Sequence, residues 1–120
     1  MARLKLKLQL YCGDEIAMGP GKADLLDAIA RAGSISAAAR ELGMSYRRAW
    51  LLVDTMNRCF AVPLVDTQPG GGKSAGARLS VAGEAALSAY RALSSHVEDG
   101  VSGADFALLE SAIRDAPLTS

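Results

Sequence analysis

A mostly α-helical fold carrying a small two-stranded β-wing is what the sequence predicts, and three observations predict it. Residues 20–60 contain three stretches of helical periodicity parted by Gly33-Ser34 and by Gly43-Met44-Ser45. Residues 63–79 contain two strand-like runs flanking a glycine-rich tip, and residues 80–115 contain two further helical stretches. At 120 residues, half of them hydrophobic, the chain has enough apolar surface for one core and no room for a second substantial one. A single domain over 1–120 is therefore expected, divided into a three-helix unit at 20–60, a wing at 63–79, a long helix at 80–98 and a C-terminal helix at 104–115.

The elements follow in order. Leu4, Leu6, Leu8 and Leu10 alternate with Lys5, Lys7 and Gln9, which reads as a half-buried N-terminal strand. A turn at Gly13-Asp14 leads into the apolar run Ile16-Ala17-Met18, and Gly19-Pro20-Gly21 breaks the chain. Pro20 suits the first position of a helix, because its missing N–H has no helical partner there anyway. In that helix Leu25, Leu26, Ile29 and Ala30 recur at i, i+1, i+4 and i+5, and Gly33 can end it in a left-handed cap. Ser34 caps a short second helix containing Ala37, Ala38, Ala39 and Leu42; Gly43 ends it, and Ser45 caps the third. The third helix runs from about Tyr46 to Phe60, with Ala49, Leu52, Val53 and Met56 as its core stripe. Pro63 stops it. Leu64–Gln68 and Ala77–Leu79 then read as hairpin strands around residues 69–76. Ser80 opens a long helix whose apolar positions are mostly small, and Phe106, Leu109 and Ile113 share one face of the last helix.

Helix, helix, helix and a two-stranded wing make a winged helix-turn-helix. The crossing of its second and third helices needs a small residue, supplied by Ala39, and a turn residue tolerant of positive φ, supplied by Gly43. Ala38, Leu42, Met44, Ala49 and Leu52 close the corner. In this arrangement the third helix enters the DNA major groove by its N-terminal turn. Arg47 and Arg48 are the candidates there, since a guanidinium spans guanine O6 and N7 or clamps a phosphate. Ser45 and Tyr46 are placed to reach phosphate or base edges, and the start of the second helix at Ser34 and Ser36 offers backbone donors to phosphate. Trp50 and Tyr46 either join that surface or pack against the wing or first helix. Lys73 at the wing tip and Arg78 at its base suit the flanking minor groove or backbone.

The segment from Gly33 to Trp50, with its Ser45-Tyr46-Arg47-Arg48-Ala49-Trp50 run, resembles the N-terminal DNA-binding domain of the ModE-type molybdate-responsive transcriptional regulators, relatives of the LysR-type winged helices. Met56-Asn57, the Gly70-Gly71-Gly72-Lys73 wing and Leu79-Ser80-Val81-Ala82-Gly83 fit the same pattern, with Ser80 where threonine is usual. The resemblance implies a sequence-specific regulator of genes of molybdenum or oxyanion metabolism. It also implies a homodimer, which two-fold symmetry sets on palindromic double-stranded DNA; the leucine strand 4–10, the small-residue helix 80–97 and the C-terminal helix carrying Phe106, Leu109 and Ile113 are the candidates for that pairing. Full family members continue into a C-terminal molybdate-binding domain, and this sequence stops at Ser120. The chain is thus expected to be a short stand-alone member or a piece of a longer one; direct molybdate binding is not expected, and no residue is assigned to it. The other reading is a winged helix used for protein interaction or dimerisation without DNA readout.

Charge at first opposes a nucleic-acid partner, since 13 basic and 13 acidic side chains cancel. The balance is uneven along the chain. Residues 31–80 carry seven basic (Arg31, Arg40, Arg47, Arg48, Arg58, Lys73, Arg78) and three acidic residues, while residues 81–120 carry two basic and six acidic. Such polarisation lets one face meet a polyanion while another repels it.

Other function classes find little support. No run approaches the roughly 18 apolar residues of a membrane span, and the N-terminus lacks the apolar stretch of a signal peptide, so a cytoplasmic chain without membrane contact is expected. Cys12 and Cys59, 47 positions apart, with the single His96, do not make a zinc site; both cysteines are expected to be buried small hydrophobes, a disulfide being disfavoured in a reducing cytosol. His96 near a helix C-terminus suits the helix dipole. Gly72-Lys73-Ser74 is no phosphate loop, because the glycine required five positions before Gly72 is Thr67. No catalytic constellation is present, and neither enzymatic activity, a metal nor a cofactor is expected.

Overall fold

A computed structural model of the chain describes residues 2–68, 76–101 and 103–119. The elements run β1 (Leu10–Cys12), β2 (Glu15–Met18), α1 (Pro20–Ala32), α2 (Ile35–Leu42), α3 (Tyr46–Cys59), β3 (Val65–Gln68), β4 (Gly76–Leu79), α4 (Val81–Asp99) and α5 (Ala104–Ala112). Two separate antiparallel hairpins, β1-β2 and β3-β4, accompany the helices. This is a winged helix-turn-helix.

Local signals set the helix ends. Pro20 stands at the start of α1, and Gly33 ends it at φ 78°, its N–H donating to the Ile29 carbonyl. The Ser34 hydroxyl accepts from the Ala37 N–H and the Ser45 hydroxyl from the Arg48 N–H, so α2 and α3 both begin with side-chain caps. Gly43 turns between them at φ 69°, where a residue with a Cβ would be strained. Ala38 and Ala39 are buried at the crossing with α3, whose Ala49, Val53 and Met56 face inward while Leu52 is half-buried. Leu25, Leu26, Ile29, Met56 and Leu64 are the largest fully buried side chains, so the core lies between α1, α3 and the entry to the wing.

The wing is fastened at its base. Asn57 of α3 accepts from the Leu64 and Val65 N–H groups through Oδ1 (2.9 and 3.1 Å) and donates from Nδ2 to the Val65 carbonyl (3.1 Å). On the other strand the Ala77 N–H donates to the Gly33 carbonyl at 2.9 Å, tying β4 to the α1–α2 turn. The strands pair Val65 with Leu79, Asp66 with Arg78, Thr67 with Ala77 and Gln68 with Gly76. The chain then enters α4 over the same spot. The Ser80 N–H donates to the Leu64 carbonyl, and the Ser80 hydroxyl donates to the Pro63 carbonyl while accepting from the Gly83 N–H. Gly83 sits so close to Leu64 that a Cβ there would lie 2.0 Å from the carbonyl oxygen.

Two sequence expectations are corrected at the termini. The N-terminal strand expected from Leu4 begins only at Leu10, because among the described residues no strand lies beside residues 4–9 to complete a ladder. That segment is held instead by the Tyr90 hydroxyl, which donates to the Leu8 carbonyl at 2.8 Å. Leu4, Leu6 and Leu10 stay exposed, and Leu8 alone of the four leucines packs on the core. The last helix ends at Ala112 rather than 115; Ile113 is already extended, and no residue of α5 is buried, so little but propensity holds its final turn. The long helix closely follows the expected span, and Arg91 of α4 reaches Asp24 (3.0 Å) and Asp27 (2.6 Å) of α1.

Two outcomes follow for stability. Asn57→Ala strands the N–H groups of two buried residues, a loss of about 2–6 kcal/mol at roughly 1–3 kcal/mol per unsatisfied buried group. Asn57→Asp, which keeps the accepting oxygen, loses less, and urea midpoints at constant m-value compare the two. Gly83→Ala forces backbone apart at the α4–wing junction and costs about 2 kcal/mol or more in the same assay; a change below ~0.5 kcal/mol, the range of an indifferent surface substitution, contradicts the close approach.

Candidate nucleic-acid interface

The N-terminal half of α3 is the most exposed face of the helix-turn-helix. Tyr46, Arg47, Arg48, Trp50 and Leu51 are all exposed, Tyr46 at 56 %, Trp50 at 46 % and Leu51 at 44 %. Their spacing follows from the core stripe: with Ala49, Val53 and Met56 turned inward, positions 47, 50 and 51 point away from the core. Neither Tyr46 nor Trp50 belongs to the core. An exposed tryptophan beside two arginines on one helix is an unusual surface for a solvated face, since large aromatic side chains gain most from burial.

The arginines divide by partner. Arg31 donates from Nε and Nη2 to Glu41 at 3.1 and 2.8 Å, bracing α1 against α2. Arg58 at the far end of α3 makes two hydrogen bonds to Glu15 of β2 (2.9 and 3.1 Å) and one to Asp54 (3.0 Å). That pairing holds the Glu15 carboxyl below the ordinary carboxylate range. Arg47 and Arg48 make no ion pair among the described residues, and their guanidinium groups are available to an external anion. Arg40 on α2 is likewise exposed and unpaired there, although the sequence reading did not single it out.

Ser34 and Ser45 have both committed a lone pair to their caps, leaving each hydroxyl hydrogen to donate outward. Ser36 is exposed in the first turn of α2. Because Ile35 and Ser36 lie before the first residue that the Ser34 side chain caps, the α2 N-terminus still presents backbone donors. Arg78 is exposed on β4, opposite Asp66 in the ladder, so its charge is partly offset by a carboxylate one strand away. Lys73 and the glycines of the wing tip lie outside the described residues.

Lys22 of α1 is a basic residue that the sequence reading missed. Burial lowers the pKa of its ammonium, the neighbouring Arg48 adding in the same sense and Cys59 and Glu15 opposing. Lys22 thus extends the positive strip of α3 onto α1. Its signal in the sequence was only a lysine two places into a helix, which on its own indicates nothing.

No group of three or more His, Cys, Asp or Glu able to hold a metal occurs among the described residues, and no helix there is long and apolar enough to cross a membrane. The cysteines depart from expectation: Cys12 is exposed and Cys59 half-exposed, because β1 is an edge strand and Cys59 the last residue of its helix.

Comparison with known proteins agrees with this geometry. The family described as "Bacterial regulatory helix-turn-helix protein, lysR family" matches residues 22–84, from the start of α1 to the first turn of α4. The chain is 50 % identical over 80 residues to the Molybdenum-pterin-binding protein MopB of Rhodobacter capsulatus, 67 % of this chain and 30 % of that protein. It is 40 % identical over 77 residues to the Molybdenum transport protein ModE of Azotobacter vinelandii, covering 64 % of this chain and 28 % of the relative. Against the DNA-binding transcriptional dual regulator ModE of Escherichia coli K12 it is 36 % identical over 87 residues, 72 % of this chain and 32 % of that one. The chain spans about a third or less of the length of each of these relatives. A match over more than half its residues, carried by the helices and wing described above, makes this chain a member of the lysR family of bacterial regulatory helix-turn-helix proteins.

Proposed function

We propose that the chain is one winged helix-turn-helix domain that binds double-stranded DNA in a sequence-specific manner and regulates transcription. The observation that carries this reading is the pair Arg47 and Arg48, exposed and without ion-pair partners among the described residues, in the first turn of a helix that is itself rigidly capped and packed. In the bound state the first turn of α3 lies in the major groove. Arg47 and Arg48 read guanine or clamp phosphate, Tyr46 and Trp50 contribute apolar contact to base edges or sugars, and Ser34, Ser36 and Ser45 donate to the flanking backbone. Lys73 and Arg78 of the wing contact the adjoining minor groove or backbone. The names of the relatives connect them with molybdenum, which supports a role in genes of molybdenum or oxyanion metabolism. No residue of this chain is assigned to molybdate itself, and the binding role requires neither catalysis nor a cofactor.

The bound form is a homodimer on a palindromic site. One recognition helix covers a single half-site, and two-fold pairing supplies the second. Unused apolar surface supports this: Leu4, Leu6, Leu93, Leu109 and Ile113 are all exposed, and a groove of about 390 Å³ lies between residues 2–4 and α5. The radius of gyration, 18.0 Å, exceeds the roughly 14 Å of a compact chain this long, as expected of a protomer with unpartnered ends.

Arg47→Ala and Arg48→Ala each weaken binding to a fragment selected from random-sequence DNA on the order of 10- to 100-fold, with the circular dichroism spectrum unchanged. Removing an arginine that clamps phosphate also lowers the slope of log affinity against log salt by about one. Anisotropy titrations measure both. Selected DNA bound no more tightly than random DNA contradicts sequence-specific recognition; full regulatory function in the double variant assigns the fold to protein interaction instead.

A further inference from the structure

The two cysteines, far apart in sequence, meet at one end of the recognition helix. Cys12 ends β1 and stands opposite Glu15 in the hairpin register. Glu15 is held by two hydrogen bonds from Arg58, the residue before Cys59. The hairpin is thereby clamped against the last turn of α3, which makes Cys12 and Cys59 neighbours at that corner of the fold. Both thiols are free, Cys12 exposed and Cys59 partly so.

We propose that Cys12 and Cys59 are a reactive dithiol that closes to an intramolecular disulfide on oxidation by a hydroperoxide, locking the β1-β2 hairpin to the C-terminal end of α3. The exposed Cys12 reacts first. Its thiolate attacks the peroxide oxygen, the O–O bond breaks, and hydrogen peroxide yields a Cys12 sulfenic acid and hydroxide, which takes up the thiol proton to leave water. The Cys59 sulfur then attacks the Cys12 sulfur; the S–S bond forms, the S–O bond breaks, and the Cys59 proton leaves with the hydroxyl as a second water. Two thiols and one peroxide thus become one disulfide and two waters, the thiols giving up two electrons to the peroxide.

The division of roles has a second support. Burial, joined by the neighbouring Cys12, raises the Cys59 thiol above its ordinary range, whereas Cys12 is the more exposed sulfur, so a peroxide arriving from solvent meets Cys12 first. Arg58 and Lys22 are the cations near it. The disulfide would enclose 12–59, which holds all three helices of the helix-turn-helix. A reducing cytosol keeps such a pair open at rest, and disulfides that do form there are typically transient and sensing.

The test is a timed exposure of the full reduced chain to stoichiometric hydrogen peroxide, followed by intact mass and a non-reducing peptide map. The expected product is a monomeric chain lacking two hydrogens, with the Cys12 and Cys59 peptides linked, restored by dithiothreitol and formed at least tenfold faster in buffer than in 6 M guanidinium chloride. Cys59→Ser should instead stop at an oxygenated Cys12, while Cys12→Ser should leave Cys59 largely unreacted. Crosslinks between chains, oxygenation of Cys12 in the parent without a link to Cys59, or equal rates folded and unfolded would each overturn the proposal.

Discussion

The side-chain amide of Asn57 is the contact on which the arrangement of helix and wing depends. One oxygen takes the N–H groups of Leu64 and Val65 and one nitrogen gives to the Val65 carbonyl, so a single residue of α3 dictates where the chain leaves that helix and begins β3. Leu64 is fully buried at that point, and its carbonyl receives the Ser80 N–H while Gly83 presses against it from α4. α3, wing and long helix therefore share one junction. A side chain that shifted this junction would move the wing relative to α3, and with it the spacing between the surfaces that the proposed function sets on major and minor groove.

Electrostatics complete what packing begins. A chain with zero formal charge keeps a local basic surface by neutralising some arginines internally and leaving others open. Arg31, Arg58 and Arg91 each brace two elements through carboxylates, whereas Arg47 and Arg48 have no such partner among the described residues. These exposed pairs are individually weak, roughly 0–1 kcal/mol, so their use is to occupy arginines and orient elements more than to stabilise the fold. Under the proposed function, a chain whose positive charges are partly neutralised in this way favours a particular DNA site over arbitrary DNA, because non-specific affinity follows the total number of phosphate contacts.

The elements legible in the sequence were those with local causes. Pro20, Gly33, Ser34, Gly43 and Ser45 each set a helix end by their own backbone or side-chain chemistry, and all five act as their residue types suggest. The winged helix-turn-helix could be read from them because its turns are short. The leucine alternation at the N-terminus misled, since period two reports a half-buried extended segment without saying whether a neighbouring strand exists to pair with it. The end of α5 departs from its sequence pattern for a related reason: apolar spacing at Phe106, Leu109 and Ile113 marks a face, but Leu109 and Ile113 on it stay exposed and no residue of the helix is buried. The ion pair from Arg58 to Glu15, the Lys22–Arg48 proximity and the meeting of Cys12 with Cys59 join residues separated by 26 to 47 positions, which no pattern along the chain could disclose.

Under the proposed function, the first turn of α3 lies in the major groove at two symmetric half-sites. Methylation protection measures this most directly, because guanine N7 faces the major groove and is shielded only when a protein group occupies it. Two protected guanine clusters of inverted sequence are expected, about one helical turn or a whole multiple of it apart on one face of the duplex. Tight, specific binding that leaves every guanine N7 open to methylation would contradict it.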